Sequence, residues 1–116
     1  MASELRLKRL QGVLHEEMSR LLKRELEFPR GTLVTVTRID LSEDVYYATV
    51  FVSILGEGRA EALAILQQST YYIQQELNRR MRTRPVPRVS FRIDEAEERR
   101  EAVEKTLAEL KKKKEL

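Results

Sequence analysis

The chain has no cysteine, which excludes a disulfide framework, a thiolate metal site and a cysteine nucleophile. It has one histidine, His15, and no second histidine or cysteine to complete a metal site beside Glu16 and Glu17. No metal or other cofactor is therefore expected, and His15 reads as a structural or surface residue of a helix. Tryptophan is absent, and four tyrosines with three phenylalanines supply an aromatic stacking platform for single-stranded nucleic acid poorly. Glycine is scarce too: there are four, and none follows Gly58. Gly56-Glu57-Gly58-Arg59 lacks the length and the Gly-Lys-Ser/Thr ending of a nucleotide loop, and reads as a turn into a helix. No apolar run approaches the ~18 residues of a membrane span. The N-terminal MASELRLKRLQ has no signal-peptide core, so an intracellular, cytoplasmic protein is expected.

What is present is charge. Charged residues make up 35% of 116 positions, yet they nearly cancel, leaving a net charge of +3. That small sum conceals one concentrated stretch. Leu77 to Ile93 (LNRRMRTRPVPRVSFRI) holds six arginines and no acid, with Glu76 and Asp94 just outside it. Arginine offers a planar fork of donors that suits phosphate. The stretch reads as a phosphate-facing surface in which Arg79, Arg80, Arg82, Arg84 and Arg88 engage RNA. Lys8, Arg9, Lys23, Arg24, Arg30 and Arg38 are secondary candidates. The bland alternative is a solvated face balanced by Glu95, Glu97, Glu98 and Glu101.

Periodicity supplies the scaffold. Leu7, Leu10, Leu14, Met18, Leu21 and Leu22 recur at spacings of three and four, predicting a helix over 5–27. Ser3 reads as its N-cap. Thr32–Leu41 and Tyr46–Leu55 are β-rich and are joined by the short Ser42-Glu43-Asp44 link, so they predict an antiparallel hairpin. Asp44 fits turn chemistry and Glu43 a solvated charge. Residues 59–83 are helical in pattern, but Ser69 and Thr70 have poor helix propensity and can cap a new segment. Two helices meeting at a kink there are expected. Pro85 and Pro87 end the second, and Arg88–Asp94 alternates as a third strand. The order is helix, strand, strand, helix, kink, helix, strand: an α+β two-layer sandwich with helices on one face of a three-stranded sheet. Residues 1–94 form the binding domain. Residues 95–116 form a charged tail, partly helical and loosely docked, with a disordered lysine end. Its acids could fold back on the arginines and compete with phosphate.

Several collinear stretches resemble the bacterial ribosome-binding factor A family over nearly the full length. They are Pro29-Arg30 before Val34-Thr35-Val36-Thr37, Leu41-Ser42-Glu43-Asp44 before Tyr47 to Ser53, and Met81-Arg82 through Val86-Pro87 to Phe91 and Asp94. The resemblance implies a KH-like fold of the second topological type, with a helix–kink–helix where ordinary KH domains carry a GXXG loop. It also implies a non-enzymatic assembly factor. Its partners would be the free or immature small (30S) ribosomal subunit and 16S rRNA, with room for other assembly factors. It would act as a monomer in late maturation and rRNA processing. The sequence departs from the family pattern at Phe28, at Ser69-Thr70 followed by Tyr71-Tyr72, at Gln74 and in the acidic tail. The rival reading is a protein-interaction module that uses Tyr47 and Phe51 on an exposed sheet face without touching RNA. No enzyme can be assembled from these residues.

Overall fold

A computed structural model describes residues 4–115. The elements are α1 (Glu4–Glu25), β1 (Leu33–Leu41), β2 (Tyr47–Leu55), α2 (Arg59–Arg80), β3 (Arg88–Ile93) and α3 (Glu95–Glu115). Strand order is β1-β2-β3. The short 42–46 link makes β1 and β2 an antiparallel hairpin, with a register shift between Val36 and Arg38. β3 returns through α2, a connection long enough to lay it parallel to β2. The fold is thus α+β with a mixed three-stranded sheet.

Strand alternation decides the core. Ala48, Val50, Val52 and Ile54 of β2 are buried with Val36, Ile39, Val89 and Phe91. They meet Leu14, Met18, Leu21 and Leu22 of α1 and Ala62, Leu66, Ile73 and Leu77 of α2. Each large side chain so buried stabilises the fold by roughly 1.5–3 kcal/mol. Polar side chains of the helices fasten the outer strands. From α1, Gln11 donates to the Ile39 carbonyl and the His15 ring bonds the Val36 carbonyl, each at 3.0 Å. His15 is therefore structural. From α2, Gln74 donates to the Pro87 carbonyl (3.1 Å) and accepts from the Val89 N–H (2.8 Å). The glutamine amide thus satisfies the start of the outer edge of β3.

Three expectations need correction. Two helices meeting at Ser69-Thr70 are in fact one, unbroken from Arg59 to Arg80. Thr70 donates its hydroxyl back to the Leu66 carbonyl (2.9 Å), a bond available within a helix, so it caps nothing. Second, α2 stops at Arg80, short of residue 83, with Met81 as its extended C-cap. Arg82 and Arg84 therefore lie on the following loop. Third, Lys111–Lys114 are not a disordered end but the last turn of α3, which is 21 residues long. The N-cap expected at Ser3 lies outside the described residues.

One end of the sheet is closed tightly. Gly31 and Gly56 both have positive φ, and a Cβ on Gly56 would stand 1.9 Å from the Gly31 carbonyl oxygen. The Gly58 N–H donates to Thr32 Oγ1 (3.1 Å), so this amide is taken and holds no phosphate. Asp94 ties the same end together. It accepts from the Thr37 hydroxyl at 2.7 Å and caps α3 through the Glu97 N–H at 3.0 Å. Arg38 adds an ion pair at 3.8 Å. These bonds hold the Asp94 carboxyl below the ordinary value of 3.8, the Thr37 bond most strongly. Glu98 accepts from the Ile54 N–H (3.0 Å) and pairs with Arg59 (3.0 Å), so the first turns of α3 are docked where β3 has ended. Burial and the nearby Glu97 push the Glu101 carboxyl above its ordinary value.

Candidate nucleic-acid interface

The opposite end of the sheet is open. The N-terminal half of α1, the 43–45 turn and the 80–85 loop bound a cleft of about 930 Å³. Its apolar floor comes from Leu7, Leu10 and Val13 of α1 with Val45, Met81 and Pro85. Its rim carries five arginines, Arg6, Arg9, Arg80, Arg82 and Arg84, against three acids, Glu17, Glu43 and Asp44. The turn is held by its own side chains. Ser42 donates to Asp44 (2.7 Å), and the Tyr46 N–H donates to the same carboxylate (3.1 Å). These bonds lower the Asp44 pKa, the Ser42 bond most, and they hold Val45 at φ 68. The turn chemistry read for Asp44 is what the structure shows.

The five arginines expected to engage RNA are not equivalent. Arg82 is exposed on the rim with no partner for its guanidinium among the described residues. Arg80 also lines the rim, and its one partner, Glu25, is at the 4.0 Å limit of an ion pair. Arg84 lines the cleft but donates to the carbonyls of Met81 (2.8 Å), Thr83 (3.2 Å) and Asn78 (3.3 Å). It satisfies carbonyls left open at the end of α2, where the helix dipole also favours a cation. Arg79 lies outside the cleft and pairs with Glu76 at 3.1 Å. Arg88 opens β3 beside Tyr47, and its guanidinium has no partner among the described residues. It lines a smaller cleft between α2 and β3 with Tyr71, Gln75 and Asn78.

The secondary candidates divide as well. Arg9 lines the main cleft, and Lys8 is exposed beside it on α1. Lys23, Arg24 and Arg30 sit at the far end of α1 and in the loop after it, away from the cleft. Arg38 is committed elsewhere, pairing with Asp40 at 2.9 Å and stacking 3.8 Å above the Phe51 ring. That stacking also alters the rival surface. Tyr47 is 61% exposed, but Phe51 is half-buried beneath a cation, so the two do not form a joint apolar anchor. Sequence reasoning missed Arg6; its heptad-like spacing with Val13 and Leu10 on α1 was the available signal.

The acidic tail does not reach the arginine cluster. Glu98 holds the first turns of α3 at the Ile54 end, and Tyr47 pairs with Arg88 at the other end of β2. The fold-back that the charges would allow is not the arrangement seen: β3 delivers the chain to the Ile54 end. Among the described residues no group of three or more histidine, cysteine or acidic side chains is placed to hold a metal, and no helix is long and apolar enough to cross a membrane.

Comparison with known proteins agrees with this architecture. The ribosome-binding factor A family model matches residues 6–107. Ribosome-binding factor A of Natranaerobius thermophilus is 40% identical over 110 residues, covering 93% of this chain and 84% of that protein. That of Acinetobacter baumannii is 38% identical over 104 residues, covering 81% of this chain and 78% of the other. The crystal structure of ribosome-binding factor A from Thermus thermophilus superposes with a TM-score of 0.64 at 30% identity, covering 74% of this chain and 92% of that one. A homology model of the Thermus thermophilus factor, fitted into a cryo-EM map of a 30S complex, superposes with a TM-score of 0.63 at 31% identity, covering 72% of this chain and 90% of that one.

Proposed function

The chain belongs to the ribosome-binding factor A family, and from that premise we propose that it binds the free or immature small ribosomal subunit through 16S rRNA and assists late maturation and rRNA processing. It works by binding and not by catalysis, in the cytoplasm, and one copy occupies each subunit. The observation that supports this reading is Arg82, exposed on the cleft rim with no partner for its guanidinium among the described residues, with Arg9 lining the same cleft. Arg9, Arg80, Arg82 and Arg88 meet rRNA phosphates, which fixes position more than sequence. Arg79 and Arg84 add positive field while their guanidinium groups stay on Glu76 and the helix carbonyls. The binding unit is residues 1–94, and 95–116 is an appendage to it.

Two measurements test this. The protein should co-sediment with free small subunits and be absent from translating ribosomes. Failure to sediment with any ribosomal particle overturns the reading. With four phosphates neutralised, log affinity should fall against log salt with a slope of about −3 to −4. A slope near zero removes the electrostatic mechanism while leaving family membership untouched.

A further inference from the structure

Two neighbouring strands share a row of uncommitted side chains. Val89 and Phe91 of β3 face the core, so Arg88, Ser90 and Arg92 stand on the outer face of the sheet. In the parallel register with β2, Tyr47 lies opposite Arg88, Thr49 opposite Ser90 and Phe51 opposite Arg92. Among the described residues, the side chains of Tyr47, Thr49, Arg88, Ser90 and Arg92 make no hydrogen bond, ion pair or ring contact. The row is bounded on two sides. On β1, Arg38 is held by Asp40 and lies over Phe51, and Thr37 is bonded to Asp94. Along β2, exposure falls from 61% at Tyr47 to 1% at Ser53, and just beyond, Glu98 of α3 bonds the Ile54 N–H.

Each member of the row suits a different part of a nucleotide. The two guanidinium groups suit phosphate. They are four residues apart, about 13 Å along the strand, so one extended polyanion laid along β3 meets both through separate phosphates. The Tyr47 ring stands clear of the body, where a base can stack on it. The Thr49 and Ser90 hydroxyls lie side by side between the arginines and can both donate to and accept from a ribose hydroxyl. An acidic peptide would need an apolar pocket beside the cations, and this face has none, because Phe51 lies 3.8 Å beneath Arg38. A duplex hides the faces of its bases and would leave Tyr47 without one.

We propose that this outer face is a second RNA site, which takes an unpaired stretch of RNA along β3 with a base stacked on Tyr47 and phosphates on Arg88 and Arg92. The arginine-rimmed cleft offers charge, whereas the sheet face adds base stacking and so favours single strands. That the stretch belongs to 16S rRNA rests on the function proposed above; the site itself does not.

Fluorescence anisotropy of the full chain with a short labelled oligouridylate carrying iodouridine tests this. Tyr47→Ala should weaken binding about tenfold, the loss of one stacked base, and Tyr47→Phe, which keeps the ring, should stay within about twofold of wild type. Arg92→Ala should make the slope of log affinity against log salt shallower by about 0.7. Irradiation should cross-link the iodouridine to Tyr47, located by mass spectrometry. Tyr47 and Arg92 are both exposed, so unchanged circular dichroism should accompany each variant. A wild type that does not bind the oligonucleotide overturns the proposal. So does a Tyr47→Ala chain that binds as wild type does, a Tyr47→Phe chain that falls as far as Tyr47→Ala, or a cross-link confined to the 80–85 loop. An equal loss from Tyr47→Ala with a polyglutamate probe marks an acidic-peptide surface and overturns it too. Co-sedimentation of the wild type with small subunits is the separate readout. If it sediments while Tyr47→Ala keeps full oligonucleotide binding, only the sheet-face site is lost. If Tyr47→Ala loses the oligonucleotide while the wild type sediments with no ribosomal particle, only the ribosomal reading is lost.

Discussion

The two ends of the sheet use the same residue types to opposite effect. At the Gly31–Gly56–Asp94 end and on the middle of the sheet's outer face, charged groups are consumed internally. Arg38 lies on Asp40, Asp94 and Phe51, Arg59 lies on Glu98, and two loops meet backbone to backbone. At the cleft end, Arg82 and Arg88 have no partner among the described residues, and Arg80 has a marginal one. An arginine whose donors are already bonded has little left for a phosphate. An uncommitted arginine gains on meeting one, because counterions are released. The difference teaches that local arginine density does not identify a binding surface. What identifies it is which guanidinium groups the fold leaves unsatisfied.

The largest expected effect breaks the closed end. Gly56→Ala puts a Cβ against the Gly31 carbonyl in a backbone conformation that side chains rarely adopt. It should cost upwards of about 3 kcal/mol in chemical denaturation, since neither backbone segment can easily withdraw. A loss under about 0.5 kcal/mol would mean that the closed end is not rigid.

Asp94→Ala comes next. It removes the cap of α3 and the bond from Thr37, and should cost about 1–2 kcal/mol at neutral pH. The sign of its pH dependence follows from the lowered carboxyl. The stabilisation is complete above the unfolded-state value and is lost as pH falls below the ordinary 3.8 through the folded value. The gap between wild type and Asp94→Ala should therefore close in acid. Asp44 shifts in the same direction and Glu101 in the other, but both are present in the two proteins, so the difference between the curves isolates Asp94. A gap that stays constant with pH would remove this account.

The sharpest use of the comparison is a pair of charge changes. Arg82→Glu should weaken small-subunit binding about tenfold, or about 1.4 kcal/mol, with stability within about 0.5 kcal/mol of wild type. Arg38→Ala should do the reverse, costing about 1 kcal/mol of stability through its partners at the sheet face and changing subunit affinity little. Equal losses of affinity from the two would erase the distinction between the ends.

Much of this was legible before the structure. The alternation of Ala48, Val50, Val52 and Ile54 and the 3–4 spacing of Leu14, Met18 and Leu21 determine which faces are buried, because strand and helix periods are local properties of the chain. The Ser42–Asp44 turn was legible for the same reason. The break at Ser69-Thr70 was misjudged because a hydroxyl can cap a new helix or bond back within an old one, and packing of Leu66, Ile73 and Leu77 onto the sheet favours the unbroken helix. Asp94-Glu95-Ala96-Glu97 carried a readable helix-start pattern; its bond to Thr37, 57 residues away, did not.

The sequence by itself determined the elements, their order, the core faces and the arginine-dense stretch, because each depends on neighbours a few residues apart. Only the tertiary structure decided which arginines remain uncommitted, which end of the sheet stays open and where the acidic helix points. Those depend on partners such as Glu25 with Arg80 and Asp94 with Arg38, which are far apart in the chain and meet only when the sheet closes.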